Sequence, residues 1–302
     1  MSASSNSLRS IFFALGANLA IALAKTGGAV FTGSSSMLAE AIHSYADCGN
    51  QALLIWGLRE SRDLPSAEHP LGSGRAIYFW SFIVALMLFT LGGVFSIYEG
   101  VHKLGASEPV QYAWVAVGIL AFGVVAESVS LWGCLREIAK ERGERSLWQW
   151  FRSSRQSELL VVLGEDVAAL GGLAMALGFI VLSVLTGNPV WDAIGSIAIG
   201  VLLVIVAVLV AVEVKALLVG QSAEPQVVLA LREHLQSQPE VVQVYNLITQ
   251  QMGADIMLAL KARMKPQASD VALIEAINRV EASVRTRFPQ VRWIFFEPDL
   301  HD

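Results

Sequence analysis

Apolar residues run almost unbroken through six stretches, at about residues 8–31, 35–58, 77–101, 112–135, 158–185 and 190–217. A hydrocarbon core about 30 Å thick takes about 20 helical residues to cross. The length and number of the stretches exceed what the buried helices of a large soluble protein would need. Backbone groups in lipid must be satisfied within their own element, so the six are predicted to be transmembrane helices. The first follows Arg9, as the core of a signal peptide would, but it runs longer than such a core and further apolar segments come after it. It is therefore expected to be retained, with no Arg-rich, acid-poor targeting extension ahead of it.

Beyond Gly220 the runs give way to amphipathic segments. Ser222 is the expected cap of a helix reaching about Gln238, with Leu229, Leu231 and Leu235 as its apolar positions. Residues 241–250 and 255–264 alternate like half-buried strands. Ser269 is expected to start a second helix with Val271, Ile274, Ile277 and Val280 on one stripe, and residues 291–296 to close as a strand. The order αββαβ suits a two-layer sandwich. The predicted organisation is thus a membrane all-α six-helix bundle over residues 1–220 and a C-terminal α+β domain over residues 221–302.

Composition agrees with this division. Only 16% of the 302 residues are charged, against about 25% in soluble domains, and the mean hydropathy is +0.55. The net charge of −5 is unevenly spread: residues 221–302 hold eight basic and ten acidic side chains, an ordinary soluble balance. Basic residues set the predicted topology. Arg9, Arg59, Arg62, Arg75, Arg136, Lys140, Arg142, Arg145, Arg152 and Arg155 all fall on one side, and only Lys103 on the other. Both termini are therefore expected in the cytoplasm, with short outer turns such as 32–34 and 186–189. Cys48 and Cys134 lie inside apolar stretches, so neither a disulfide framework nor a paired-cysteine zinc cluster is expected.

A charge near a bilayer centre costs about 2.5–3.5 kcal/mol on insertion scales, so those present usually face a pathway or a partner. The intramembrane set is Lys25, Glu40, His43, Asp47, Glu127, Glu165 and Asp166, with Asn18, Asn50 and Gln51 as neutral companions. His43 and Asp47 are four apart and share one helical face. Imidazole and carboxylate suit a borderline divalent ion such as Zn²⁺, although the same pair could simply pin two helices by a hydrogen bond. Asp47 and Asp166 lie at depths that differ by only about 5 Å at 1.5 Å per residue. Two carboxylates at one depth in low dielectric repel unless a proton or a cation sits between them.

Glu165 points about 100° away from Asp166 on the helix, and three roles are open to it: fourth ligand, proton carrier, or partner of Lys25. Glu127 reaches a similar depth and suits an interhelical hydrogen bond or a supporting contact. Glu40 is expected toward the outer exit and Asn50 toward the inner entrance, while Cys48 reads as a small packing residue. Gly16, Gly27 and Gly28 in the first span and Gly164, Gly171 and Gly172 in the fifth are expected to let helices approach closely. Asp192 is expected to cap the sixth helix.

With these residues in place the sequence resembles the cation diffusion facilitator family. The stretch GSSSMLAEAIHSYAD, from Gly33 to Asp47, is similar to the family's second-span motif, whose last residue and the one four before it are metal ligands. HPLGSGR from His69 to Arg75 resembles the loop after that span, and DAIGS from Asp192 to Ser196 the opening of the sixth. Within the family the zinc transporter 9 branch is most similar, through LGED at 163–166, TGNP at 186–189 and GQS at 220–222. The resemblance implies inside termini, a cytoplasmic ferredoxin-like domain, a homodimer, and efflux of a divalent metal by proton antiport through alternating access.

Three departures bear on that expectation. Val162 stands where the family's fifth span usually carries His or Asp, leaving His43, Asp47 and Asp166 as matching ligands and the fourth place to water or Glu165. In the loop His69 remains, but Ser73 replaces a frequent second histidine. The C-terminal domain holds only His234 and His301, so a zinc cluster there is not expected. Zn²⁺ is the expected cargo rather than a resident cofactor, with Mn²⁺, Fe²⁺, Co²⁺ and Cd²⁺ as alternatives, and His43 disfavours Mg²⁺ or Ca²⁺. The expected partners are the metal ion, protons, the lipid bilayer and a second copy, with no nucleic acid. The expected location is a bacterial plasma membrane. The rival readings are a non-transporting membrane sensor or scaffold and an intramembrane metallohydrolase; no enzymatic activity is expected.

Overall fold

The computed structural model describes residues 3–32, 35–105 and 113–301, and the side chains of residues 3–14, 17, 29, 32, 35–40, 43 and 113 lie outside that description. The first part of the chain forms helices α1 (Ala3–Thr32), α2 (Ser35–Glu60), α3 (Ala76–Gly105), α4 (Ala113–Arg142), α5 (Leu147–Ser153), α6 (Ser157–Thr186) and α7 (Val190–Val219). Among the described residues four of them, α3, α4, α6 and α7, are long and apolar enough to cross a membrane. The expected outer turn at 32–34 and the expected start of the fourth stretch at Tyr112 lie partly outside the described residues.

Two helix features depart from the sequence expectation. The fourth stretch continues as helix through Arg142, because Ile138 is buried in the core and Lys140 pairs with Glu137 one turn earlier. The short helix α5 then follows where only a loop was expected. Its start is a capping box: Ser146 accepts from Gln149 N at 3.2 Å and the Gln149 side chain accepts from Ser146 N at 3.0 Å. Trp150 of α5 is fully buried beside Leu54, Val84, Ile138 and Leu160, so α5 seals one end of the helix bundle. Burial of such a side chain contributes about 1.5–3 kcal/mol.

Glycines set the closest helix contacts, though not all where expected. In α6 a Cβ on Gly164 would come within 2.7 Å of Val210, and one on Gly171 within 2.9 Å of Leu202, so α6 lies tightly on α7. Gly16 and Gly27 of α1 have open space around them instead. A second seam joins α3 to α7. A Cβ on Gly200 would meet the Gly93 carbonyl oxygen at 2.7 Å, and one on Gly100 the Ala193 carbonyl at 2.8 Å. Gly93 belongs to a π-helical stretch, Leu88–Val94, within α3. Helices α6 and α7 are joined by Gly187 in the left-handed region (φ 65°). Pro189 stands at the N-cap of α7 with no side-chain cap, Asn188 just before it accepts from Val190 N at 3.0 Å, and Asp192 does not cap the helix as expected. Asp192 lies a turn later, 3.6 Å from Lys103.

The C-terminal part is α8 (Pro225–Gln236), β1 (Val241–Met252), β2 (Asp255–Met264), α9 (Asp270–Arg287) and β3 (Val291–Pro298), in the αββαβ order expected. The sheet order is β1-β2-β3, with β1–β2 antiparallel and β2–β3 parallel. Buried and half-buried positions alternate along β2, and Leu258, Leu260 and Ala262 meet Leu231, Leu235, Ala276, Val280 and Val284 from the two helices. Ser269 caps α9 as expected, accepting from Ala272 N at 3.2 Å. Ser222 does not cap α8. The helix starts at Pro225, and the Ser222 hydroxyl is 2.6 Å from that of Thr249. The apolar stripes also shift: Leu229, Val271 and Ile274 are exposed, because the sheet covers the faces bearing Leu231 and Leu235 in α8 and Ala276, Val280 and Val284 in α9.

The turn between β1 and β2 docks on the membrane helices. Gly253 (φ 68°) donates its N–H to the Tyr78 hydroxyl at 2.9 Å, and Gly74 lies so close to Met252 and Gly253 that neither glycine has room for a Cβ. Arg155 reaches the Ser222 carbonyl at 2.7 Å, Arg145 reaches Glu224 at 3.1 Å, and Arg75 donates to the Leu218 carbonyl. Three of the arginines expected on one face of the membrane, Arg75, Arg145 and Arg155, thus bond the segment that leads into the C-terminal domain.

Candidate metal site within the helix bundle

Asp166 and Glu165 face inward together. They are 6% and 8% exposed, although they are consecutive on α6, while the following Val167 faces outward at 43%. A helix normally directs neighbours about 100° apart. Both are buried because α6 is flanked on two sides, by α7 across the glycine contacts and by α4. Asp166 Oδ1 accepts from the Ser130 hydroxyl of α4 at 3.0 Å, and the Asn50 side chain of α2 hydrogen-bonds Glu165. Each acid still leaves one carboxylate oxygen, Glu165 Oε1 and Asp166 Oδ2, with no hydrogen-bond partner among the described residues. Buried orphan oxygens are costly and usually mark an unfilled role.

Asp47 of α2 and Glu127 of α4 complete the acid group. The charges of Asp47 and Glu127 both act on Glu165 and on Asp166, so the four carboxylates lie within interaction range of one another. Asp47 and Glu127 also line a narrow cavity with Lys25 of α1, Ala168, Ala169, Gly172 and Leu173 of α6, and Ile199 and Leu203 of α7. The small residues of α6 leave this space open. Lys25 is 4% exposed and donates to the Ser44 hydroxyl at 2.9 Å, tying α1 to α2.

Two expected residues are not covered by this geometry. The His43 backbone is part of α2, four residues before Asp47, but its side chain and that of Glu40 lie outside the described residues. No group of three or more His, Cys, Asp or Glu side chains among the described residues gathers closely enough to hold a metal. Val162, four residues before Asp166, is half-buried and packs in an apolar cluster, so it offers no ligand. Asn50, expected toward the inner entrance, is buried and interacts with Glu165 of α6. Ser130 and Ser44 were missed. Each lies among apolar neighbours within a few residues of an intramembrane ionisable group, and that spacing was the available signal.

His69 sits in an exposed loop, its N–H bonded to Ser66 Oγ at 3.1 Å, away from the acids. His234 is engaged elsewhere, with Nε2 2.7 Å from the Ser283 hydroxyl.

Residues 11–219 match the cation efflux transmembrane domain. The chain belongs to the cation diffusion facilitator family. It is similar to the mitochondrial proton-coupled zinc antiporter SLC30A9 of Xenopus laevis, 37% identical over 226 residues, which are 74% of this chain and 40% of that protein. The human protein of the same name is 34% identical over 227 residues, again 74% of this chain and 40% of the relative. These relatives place the chain with the zinc transporter 9 branch. The zinc transporter ZitB of Escherichia coli K12 is 23% identical over 274 residues, 90% of this chain and 82% of that one. The chain thus spans about two fifths of the length of the SLC30A9 relatives it matches. Family membership and the four membrane-length helices make it a multi-pass membrane protein.

Proposed function

We propose that this protein is a secondary transporter that moves Zn²⁺ out of the cytoplasm in exchange for protons, by alternating access. The observation that carries the reading is the burial of Glu165 and Asp166, each with an orphan oxygen, within range of Asp47 and Glu127. Their mutual repulsion is relieved by a cation or by protons, and both are what an antiporter exchanges. His43, Asp47 and Asp166 are the proposed ligands, with Glu165 as the fourth. Ligands must be deprotonated to hold the metal, so Zn²⁺ and protons compete for one set of atoms. That competition converts an inward proton gradient into metal release on the far side. One imidazole with carboxylates favours Zn²⁺ over the hard ions. The names of the relatives support the same cargo and coupling ion.

The proposed architecture is six spans, α1, α2, α3, α4, α6 and α7, over residues 1–220, and a cytoplasmic ferredoxin-like domain over 221–302. The arginines at the domain-bearing end support cytoplasmic termini. A homodimer in a bacterial plasma membrane and a role without enzymatic chemistry complete the reading. The SLC30A9 relatives are named as mitochondrial, so an organellar membrane is the alternative location, and fractionation of the source cells decides it.

The test is Zn²⁺ uptake into proteoliposomes under an imposed pH gradient, comparing wild type with Asp47→Ala, Asp166→Ala and Glu165→Gln. Both aspartate variants are expected to be inactive. Full uptake in either would remove that residue from the ligand set, and uptake that ignores the pH gradient would end the antiport reading.

A further inference from the structure

Among the described residues Lys25 is the only buried basic side chain, and it lines one cavity with Asp47 and Glu127. Its ammonium has a neutral anchor, the Ser44 hydroxyl at 2.9 Å, three residues before Asp47 on the same helix. A lysine whose work was only to pin α1 to α2 would gain nothing from standing beside an acid group, and a Ser–Ser or Ser–Asn pair would pin the helices without a buried charge. A buried cation with carboxylates across a shared cavity has a larger effect, because unit charges a few ångströms apart interact strongly at an effective dielectric of about 20.

We propose that Lys25 is a tethered counter-cation that competes with the transported metal for the carboxylates of Asp47 and Glu127. The idea rests on the transport reading of Asp47 and Asp166 and adds a positioning residue to it. An acid group built to bind a divalent ion tightly would release it slowly, and transport requires affinity weak enough for the ion to leave. The ammonium shares the carboxylates' field, lowers their hold on Zn²⁺, and partly neutralises them on the metal-free return. Its flexible four-carbon stem lets one charge serve Ser44 and the cavity without leaving α1. The anchor and the acids therefore pull on one cation, and shifting the balance between them shifts metal affinity.

Zn²⁺ titration of the purified full-length protein in detergent, paired with uptake kinetics in proteoliposomes, tests this. Lys25→Met is expected to tighten Zn²⁺ binding by roughly tenfold or more, the scale of losing one nearby like charge, and to lower kcat and KM together. Lys25→Arg keeps the charge and is expected to hold affinity near wild type. Ser44→Ala frees the ammonium toward the acids and is expected to weaken binding severalfold, the opposite sign to Lys25→Met. Weaker or unchanged binding in Lys25→Met, or the same sign in both variants, would overturn the proposal and leave Lys25 as a helix pin. Asp47→Ala run in the same titration separates the two readings: undiminished Zn²⁺ binding there removes the ligand assignment itself, whatever Lys25 does.

Discussion

In the C-terminal domain acids meet bases at the surface. Glu240 lies 3.0 Å from Arg279, Asp299 2.9 Å from Lys261, and Asp255 3.1 Å from Arg292. In the helix bundle Glu165 and Asp166 are buried beside further acids, held by the neutral Asn50 and Ser130, each with an oxygen left over. The first arrangement is what folding alone favours, since paired carboxylates are stabilised and water stays close. The second costs folding energy, because a buried charge without a full set of partners is destabilising. On the proposed function such a group is kept for what it binds, so the same residue type pairs with bases at one end of the molecule and gathers with other acids at the other.

Neutralising acids in each region is the sharpest way to break this comparison. Asp47→Ala and Asp166→Ala should cut proton-driven Zn²⁺ uptake to below about a hundredth, since loss of even outer partners of a metal site costs about 10–100-fold. In a companion melt Glu165→Gln should raise the melting temperature of the detergent-solubilised, metal-free protein by a few degrees, because it removes an acid whose ionised form is repelled by Asp47, Asp166 and Glu127. A lowered melting temperature would show that the bundle acids stabilise the fold as the surface ones do.

The contact between the two regions gives the next effect. Gly253→Val forces a branched side chain into the left-handed region and onto Gly74, and should cost about 1–3 kcal/mol. Hydrogen exchange at the β1–β2 turn would read it, as would the smaller effect of Tyr78→Phe, about 1 kcal/mol for one lost hydrogen bond.

Acid should loosen the C-terminal domain in two stages. Burial and the nearby Arg287 charge hold the His234 imidazole below its ordinary value of 6.5, so the neutral ring is favoured in the fold. That contribution is complete above pH 6.5 and is lost as pH falls through the depressed folded value. Hydrogen bonds from Arg279 and Lys261 hold Glu240 and Asp299 below their ordinary 4.5 and 3.8, so their stabilisation is full above those values and fades below them. Hydrogen exchange across residues 221–302 of the full-length protein, followed from pH 7 to pH 3, should rise in that order. Smallest of all, Glu240→Gln should change stability by under about 1 kcal/mol, since its partner is largely solvated.

Much of this was legible in the chain. The apolar runs predicted the long helices, four of them of membrane length and apolarity among the described residues, although the fourth run continues as helix to Arg142, beyond its expected end. Period-two alternation predicted β1 and β2, and Ser269 marked the start of α9. The failures fall where a local rule competed with a tertiary contact. Ser222 looked like a helix cap, but Thr249 across the domain offered it a partner, and Pro225 fixed the helix start. Val271 and Ile274 fitted a stripe, yet the sheet covers the neighbouring face. Gly16 and Gly27 of α1 read as contact points but meet open space, whereas Gly93, Gly100 and Gly200 form a seam that spacing within one helix could not reveal.

The chain alone determined that charge would be rare in the helices, and so which few ionisable residues are candidates for a site, because solvation cost depends only on residue type and on the length of the apolar run around it. What tertiary structure decided was company. Lys25 faces the acids with Ser44 beside it, Ser130 and Asn50 hold Asp166 and Glu165, and the β1–β2 turn seats on Tyr78. Each of these joins residues on different elements, and the Coulomb and hydrogen-bond energies that give them meaning depend on distances through space that no spacing along one helix encodes.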